Sequence, residues 1–375
     1  MNGAGTTRMR RLARVVALVA MPAMLLAAPR SAAAACLSGG DERTINAALQ
    51  GPGAKVALCA GAVFVLNAPV VLSADGQELA TEAYPTDATR ALLRVAGPAQ
   101  ASAITSRANR ISIRAIAVDG ARPTLGPIPQ GAALIEIGGD VSGIRVDAVH
   151  AQDPRGWSSL HVFEGSGQCD GATITNSDIG PAGTPDGHWA DGISFGCRNG
   201  LIAGNIVTDA SDGGIVIFGA PGTLVQNNLI RTRTNTLLGG INLVDYKPFD
   251  GDYTGTIVSG NRIEADGGFI KVAIAIGPAA WGEDKGLINH GGTVSDNVIA
   301  GKGIGYGIVV NGVSDFTIQG NQVQATLGGR PGPRCPQGQA GPGQALVLSP
   351  ANSQGRFQSG FVTSPIHYAI CVDPS

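Results

Sequence analysis

One short motif recurs along most of this chain, and it constrains the fold more than any other feature. Apolar residues alternate with polar ones, a Gly, Asp or Asn follows, and an aliphatic residue closes the segment. The motif occurs at 111–116, 144–149, 172–179, 201–206, 224–230, 257–263, 294–299 and 316–323. Aligned on the position most often held by Asn, the register runs Arg114, Asp147, Ser177, Asn205, Asn228, Asn261, Asn297, Asn321, in steps of 33, 30, 28, 23, 33, 36 and 24 residues. Each repeat carries a second apolar strand after a loop, at 133–137, 160–163, 193–195, 215–218, 241–244, 270–276, 308–310 and 345–348. Glycine precedes several of these, as at Gly192, Gly214, Gly240 and Gly307. It is expected there for corners whose backbone takes conformations that a side chain forbids.

Two short strands in every 23 to 36 residues predict an all-β protein, a single right-handed parallel β-helix. One turn cannot bury its own apolar face, but turns stacked about 4.8 Å apart can. The asparagines are expected to stack as a ladder at one turn, satisfying buried backbone groups and taking no part in chemistry. A β-sandwich would instead show hairpin signals between neighbouring strands and no fixed repeat. Residues 36–110 read as an N-terminal cap and first turns, 111–323 as core repeats, and 324–375 as a C-terminal loop and last turn. A short amphipathic helix over 41–49, N-capped by Asp41, is expected to cover the open first turn. The Gly- and Pro-rich run 328–343 reads as loop.

Residues 1–35 read as a signal peptide: Arg8, Arg10, Arg11 and Arg14 precede an apolar stretch over 15–28, and small residues follow at 31–35. That stretch is too short to span a bilayer comfortably. Arg10-Arg11 admits a twin-arginine signal with a poor flanking consensus. Cys36 stands where a lipoprotein signal would place its acylated cysteine, although Ala33 replaces the usual Leu. Without residues 1–35 the chain holds 21 basic and 28 acidic residues, a net charge of −7. That balance argues against a nucleic-acid partner, which needs a basic footprint. The six cysteines, even in number, suggest three disulfides in a secreted or periplasmic protein. Nearest-neighbour pairing gives Cys36–Cys59, Cys169–Cys197 and Cys335–Cys371.

A β-helix carries function on its outer faces, between the loops. The long loops are 150–158, 180–190, 231–238, 245–254 and 277–292. Aligning the second strands on their glycines puts Asp191, Gly213 and Gly239 in one column, and Ala190, Asp212 and Leu238 in the column one residue earlier. Asp191 and Asp212 then lie on adjacent turns. Two carboxyls this close raise one pKa and form an acid–base pair of the kind glycoside hydrolysis uses. The bland reading is that each Asp merely turns the chain before a glycine.

The same stretch resembles the pectin-lyase-like superfamily and, within it, the polygalacturonases of glycoside hydrolase family 28. Their signature is Asn-Thr-Asp, Asp-Asp, Gly-His-Gly and Arg-Ile-Lys on successive turns. Trp189-Ala190-Asp191 resembles the first motif and Ser211-Asp212-Gly213 the second, with Gly213 replacing its second Asp. Gly239-Gly240-Ile241 lacks the His of the third, and Phe269-Ile270-Lys271 lacks the Arg of the fourth. The resemblance implies a carbohydrate-active β-helix with Asp212 as general acid and Asp191 as general base. It leaves the substrate open.

Around this pair, His188, Trp189, Asp245, Tyr246, Lys247 and Lys271 are the candidate substrate-binding residues; a Trp at a groove edge offers a flat apolar face to a sugar ring. Asp153, Arg155, Trp157, His161 and Glu164 precede Asp191 by one turn and read as further subsites or solvated loop residues. Arg231 and Arg233 line a polyanion groove or face water, and His290 reads as a loop residue. Asp250 and Asp252 suggest calcium only weakly, lacking the spacing of a calcium loop. No zinc spacing, phosphate loop or nucleophile elbow appears, so no metal or cofactor is assigned. The expected function is a secreted, monomeric glycoside hydrolase acting on a polysaccharide or oligosaccharide, with no membrane span. The alternatives are a polysaccharide lyase using Lys271 or Arg233 as base beside an ion at Asp245, Asp250 and Asp252, or a non-catalytic glycan-binding β-helix.

Overall fold

The computed structural model describes residues 35–184, 187–282 and 286–375. The signal-peptide reading lies outside them, apart from Ala35, as do parts of the loops at 180–190 and 277–292. Among the described residues no helix is long and apolar enough to cross a membrane.

The repeat seen in the sequence is a stack of turns. A typical turn gives one strand to each of three faces, as Leu201–Ala203, Ile206–Thr208 and Gly213–Ile217 do. Each strand pairs in parallel with the equivalent strand of the next turn, so that Leu201–Ala203 pairs with Leu224–Gln226 and Gly213–Ile217 with Thr236–Leu243. The pairing of Arg330–Pro331 with Val372–Asp373 is antiparallel.

Parallel stacking turns the sequence period into columns of like side chains. On the first face Val56, Leu79, Ile113, Val146, Ile174, Ile202, Val225, Val258, Val294 and Ile318 stand one above another. All ten are buried. Each contributes roughly 1.5–3 kcal/mol of burial, which no isolated turn could realise. The open first turn is covered by the helix Glu42–Ala48, whose N-cap Asp41 accepts from the backbone N–H groups of Arg43 and Thr44. Its Ile45 and the following Leu49 enter the core.

The asparagine ladder forms as expected. Each Asn Oδ1 accepts from the backbone N–H of the ladder residue in the preceding turn, from Ser177 to Asn205 and onward through Asn228, Asn261 and Asn297 to Asn321. Each Nδ2 donates to a backbone carbonyl, as Asn261 does to Val225 at 2.9 Å. Gln358 continues the ladder beyond Asn321.

Two expectations need correction. Arg114 and Asp147 are not in the ladder column: Asp147 stacks on Thr175, and Val149 is the residue whose N–H bonds to Ser177 Oγ. Thr175 and Ser177 are both polar and two apart, but Thr175 continues the strand column of Asp147 while Ser177 is buried in the ladder. The corner glycines also have a different cause. None of Gly192, Gly214, Gly240 or Gly307 has a positive φ. They lack a side chain because the next turn approaches closely: a Cβ on Gly192 would stand 2.6 Å from the Gly214 carbonyl oxygen, and one on Gly214 would stand 2.5 Å from that of Gly240.

All three disulfides pair nearest neighbours, Cys36–Cys59, Cys169–Cys197 and Cys335–Cys371. Bonding to Cys59 occupies the sulfur of Cys36 that lipidation would require. After the strands Gln344–Leu348 and Ser353–Phe357 the chain turns back. Its last ten residues cross the outside of the third face, where Ile366, Ala369, Ile370 and Val372 pack in a second apolar cluster with Val272, Tyr306 and Val309.

Candidate active site

The third face bends at the corner glycines, and the residue just before each corner points outward. Asp191 stands there, at the start of the strand Asp191–Phe195, with Gly213 and Gly239 stacked beyond it. Asp212 follows one residue out of step, its backbone N–H bonding to the Ala190 carbonyl at 3.2 Å. The two columns expected from the sequence are therefore those observed.

Asp191 is 5% exposed. Its Oδ1 accepts from the Gly213 N–H at 2.7 Å and its Oδ2 from the Ser194 hydroxyl at 2.8 Å. Ser194 Oγ lies 2.9 Å from Ser158 Oγ, on the preceding turn. Burial raises the Asp191 carboxyl well above the usual carboxylate range, and the charge of Asp212 raises it further, against the two hydrogen bonds. Asp212 is partly exposed and is pushed up to about 6 by loss of water. Both carboxyls are therefore raised, Asp191 by burial and by the charge of Asp212, and Asp212 by burial.

Both carboxyls open on a cavity of about 200 Å³ lined also by Trp157, Val216, Phe218, Asn242, Val244, Asp245 and Trp281. Asn242 is 2% exposed and its buried Oδ1 has no hydrogen-bond partner. The glycines make this room. A Cβ on Gly213 would stand 2.9 Å from both Asp191 Oδ1 and Asn242 Nδ2, and one on Gly239 would stand 2.8 Å from Trp281 Cη2. Trp157 separates this cavity from a second of about 200 Å³ lined by Arg122, Ile128, Arg155, His188 and Trp189. The three Trp of the chain thus all border the two cavities. A larger hollow of about 610 Å³, around Thr234, Gly268, Lys302 and Gly329, brings together no such pair of titratable side chains.

The structure brings Asp191, Asp212 and Asp245 together and places His188 and Trp189 just across Trp157, with Trp189 38% exposed. Of the other candidates, Trp157 lines both cavities and Arg155 the second, and the rest lie outside the two linings. Lys247 is ion-paired with Asp250 and lies over the Tyr246 ring. Lys271 reaches Asp373 at 3.5 Å. Arg155 is a buried staple that donates to the carbonyls of Gly97, Pro98, Gln100, Leu125 and Gly126. Arg233 pairs with Asp266, Arg231 bonds Thr208, and Asp252 accepts from the Thr254 N–H. His161 pairs with Glu136 at 3.0 Å and meets Trp157 edge to face, bracing that wall from behind.

Asn242, Trp281 and Phe218 were not foreseen. Asn242 did leave a trace, as an outward polar residue in an otherwise apolar strand. Trp281 lies in the helix Pro278–Trp281, and nothing in the repeat marks it.

Residues 142–326 match the family described as right handed beta helix region. The fold is a right-handed parallel β-helix. Solved structures similar to this β-helix include the Streptococcus pneumoniae surface protein and adhesin PfbA, at 13% identity over 85% of this chain and 93% of that one, with a TM-score of 0.41. The Azotobacter vinelandii mannuronan C-5 epimerase AlgE6 A-module is 14% identical over 86% and 94%, with a TM-score of 0.38. No curated protein shows significant sequence similarity to the chain.

Proposed function

We propose that this β-helix is an exported glycoside hydrolase whose acid–base pair is Asp191 and Asp212. The observation that carries the reading is that two carboxyls on adjacent turns, both raised by burial, open on one cavity walled by indoles. Two carboxyls in unlike surroundings supply the proton donor and the base that hydrolysis of a glycosidic bond needs. Asp191, the more deeply buried, keeps its proton and gives it to the leaving oxygen. Asp212, ionised above about 6 and facing the cavity, takes the proton of the attacking water. This reverses the roles implied by the polygalacturonase resemblance, because burial is greater at Asp191. Trp157 and Trp281 offer faces on which a sugar ring stacks, and the unpartnered Asn242 Oδ1 accepts a hydrogen bond from one of its hydroxyls. Three disulfides fit an oxidising compartment outside the cytosol.

The polygalacturonase pattern survives only in part. An Asp at Gly213 would drive its Cβ into Val216, and a His at Gly239 would drive its own into Asn242. The lyase alternative is weaker still, since Lys271, Arg233, Asp250 and Asp252 are each committed to other partners. A binding protein without turnover is the second reading, favoured by the two hydrogen bonds that tie Asp191 into the protein.

A screen of the purified protein against soluble polysaccharides, reading reducing ends and unsaturated ends in parallel, tests the proposal. Saturated new ends are expected from the wild type, with turnover lost by about 10²–10⁴-fold in Asp191→Asn and Asp212→Asn. Unsaturated ends, or near-full turnover in either variant, would refute it.

A further inference from the structure

We propose that the cavity is blind on its C-terminal side, so that the protein works on the end of a glycan chain and not within it; this rests on the hydrolase reading above. Cleavage inside a polymer needs a cleft open in both directions, because the chain continues past both sides of the broken bond. Here the outer face beyond the cavity is roofed. Val272 stacks beyond Gly239 and Ala275 beyond Asn242, and both point outward. Yet Val272, Ala275, Tyr306 and Val309 are all fully buried, because the C-terminal strap lies on them.

The strap is fixed at several points. The Cys335–Cys371 bond joins its two arms. Tyr306 Oη donates to the Ala340 carbonyl at 2.5 Å, and Asn311 Nδ2 donates to that of Ile366 at 2.6 Å. Lys271 holds Asp373 at 3.5 Å. A Cβ on Gly305 would stand 2.8 Å from Val372 Cγ2, so the strap lies directly on the face.

Trp281 is the wall between strap and cavity. Its indole lies over Gly239, and the strap's Tyr368 packs on Gly282 behind it, 2.6 Å from where a Cβ would be. On the opposite side, among the described residues, Trp157 parts the cavity from the one holding Trp189. The remainder of a glycan therefore leaves over Trp157, toward Trp189. A volume of about 200 Å³ is below the ~300–1,000 Å³ that encloses larger small-molecule ligands, in keeping with a single terminal sugar. The Asn242 Oδ1, buried and without a hydrogen-bond partner, meets that sugar at the closed end.

The test is the product pattern of the full wild-type protein on polygalacturonate, galactomannan, arabinoxylan and alginate, following reducing ends, specific viscosity and product size together. One product size from the first time point, with viscosity falling only in proportion to sugar released, is expected. A ladder of sizes with an early collapse of viscosity overturns the blind end and leaves the hydrolase reading standing. Release of no reducing ends from any of the four overturns both.

Discussion

Replacing Asp212 by Asn should make the protein more stable, and only above a definite pH. Burial raises the Asp212 carboxyl from 3.8 to about 6 in the folded state. A carboxyl raised in this way favours folding while protonated: its contribution is fully present below the unfolded value of 3.8 and is lost as pH rises through about 6. The shift of about two units corresponds to about 3 kcal/mol at pH 8, at 1.36 kcal/mol per unit. Asn resembles the neutral form at every pH and removes that cost. The unfolding entropy is about 2.1 cal/mol/K per residue, so over about 340 residues the gain is about 4 °C in melting temperature. Calorimetric melts of wild type and Asp212→Asn at pH 4, 6 and 8 check this. The difference should be close to zero at pH 4 and largest at pH 8. A variant less stable than wild type at pH 8, or a gain equal at pH 4 and pH 8, would show that Asp212 is not a strained anion in the cavity.

Three further outcomes are expected. Asn261→Ala removes the acceptor of Asn228 N and Nδ2 and the donor to Val225; buried groups left unpaired should cost about 3 kcal/mol or more, read by urea unfolding. Gly214→Ala puts a Cβ 2.5 Å from the Gly240 carbonyl oxygen and 2.6 Å from Ile230 Cγ2; overpacking of about 1–3 kcal/mol is expected, and a melt unchanged from wild type would contradict the close approach. On the substrate identified by screening, kcat/KM should rise with pH through about 6 as Asp212 ionises and fall again as Asp191 loses its proton, read as a bell-shaped pH profile.

Much of the fold is legible in the sequence, for one reason. In a parallel stack, residues one period apart become neighbours in space, so spacing along the chain is a distance map. That is why Asn205 to Asn321, the nearest-neighbour disulfides and the one-residue offset of Asp191 and Asp212 were all legible. The map misleads where two polar residues lie two apart, as at Thr175 and Ser177: Asp147 stacks on the first, while the ladder runs through the second. It also leaves the cause of a glycine open: at Gly192 and Gly214 a neighbouring carbonyl, not backbone conformation, excludes the side chain.

The stack, its register over the middle turns and the meeting of two carboxyls all follow from the period of the chain. What surrounds the carboxyls follows from long-range packing. Lys271 finds Asp373, Trp281 lies on Gly239, and the C-terminal strap covers Tyr306 and Val309, all through contacts across long separations that belong to no period. Repetition can set the place of a site, but its walls come from the segments that do not repeat.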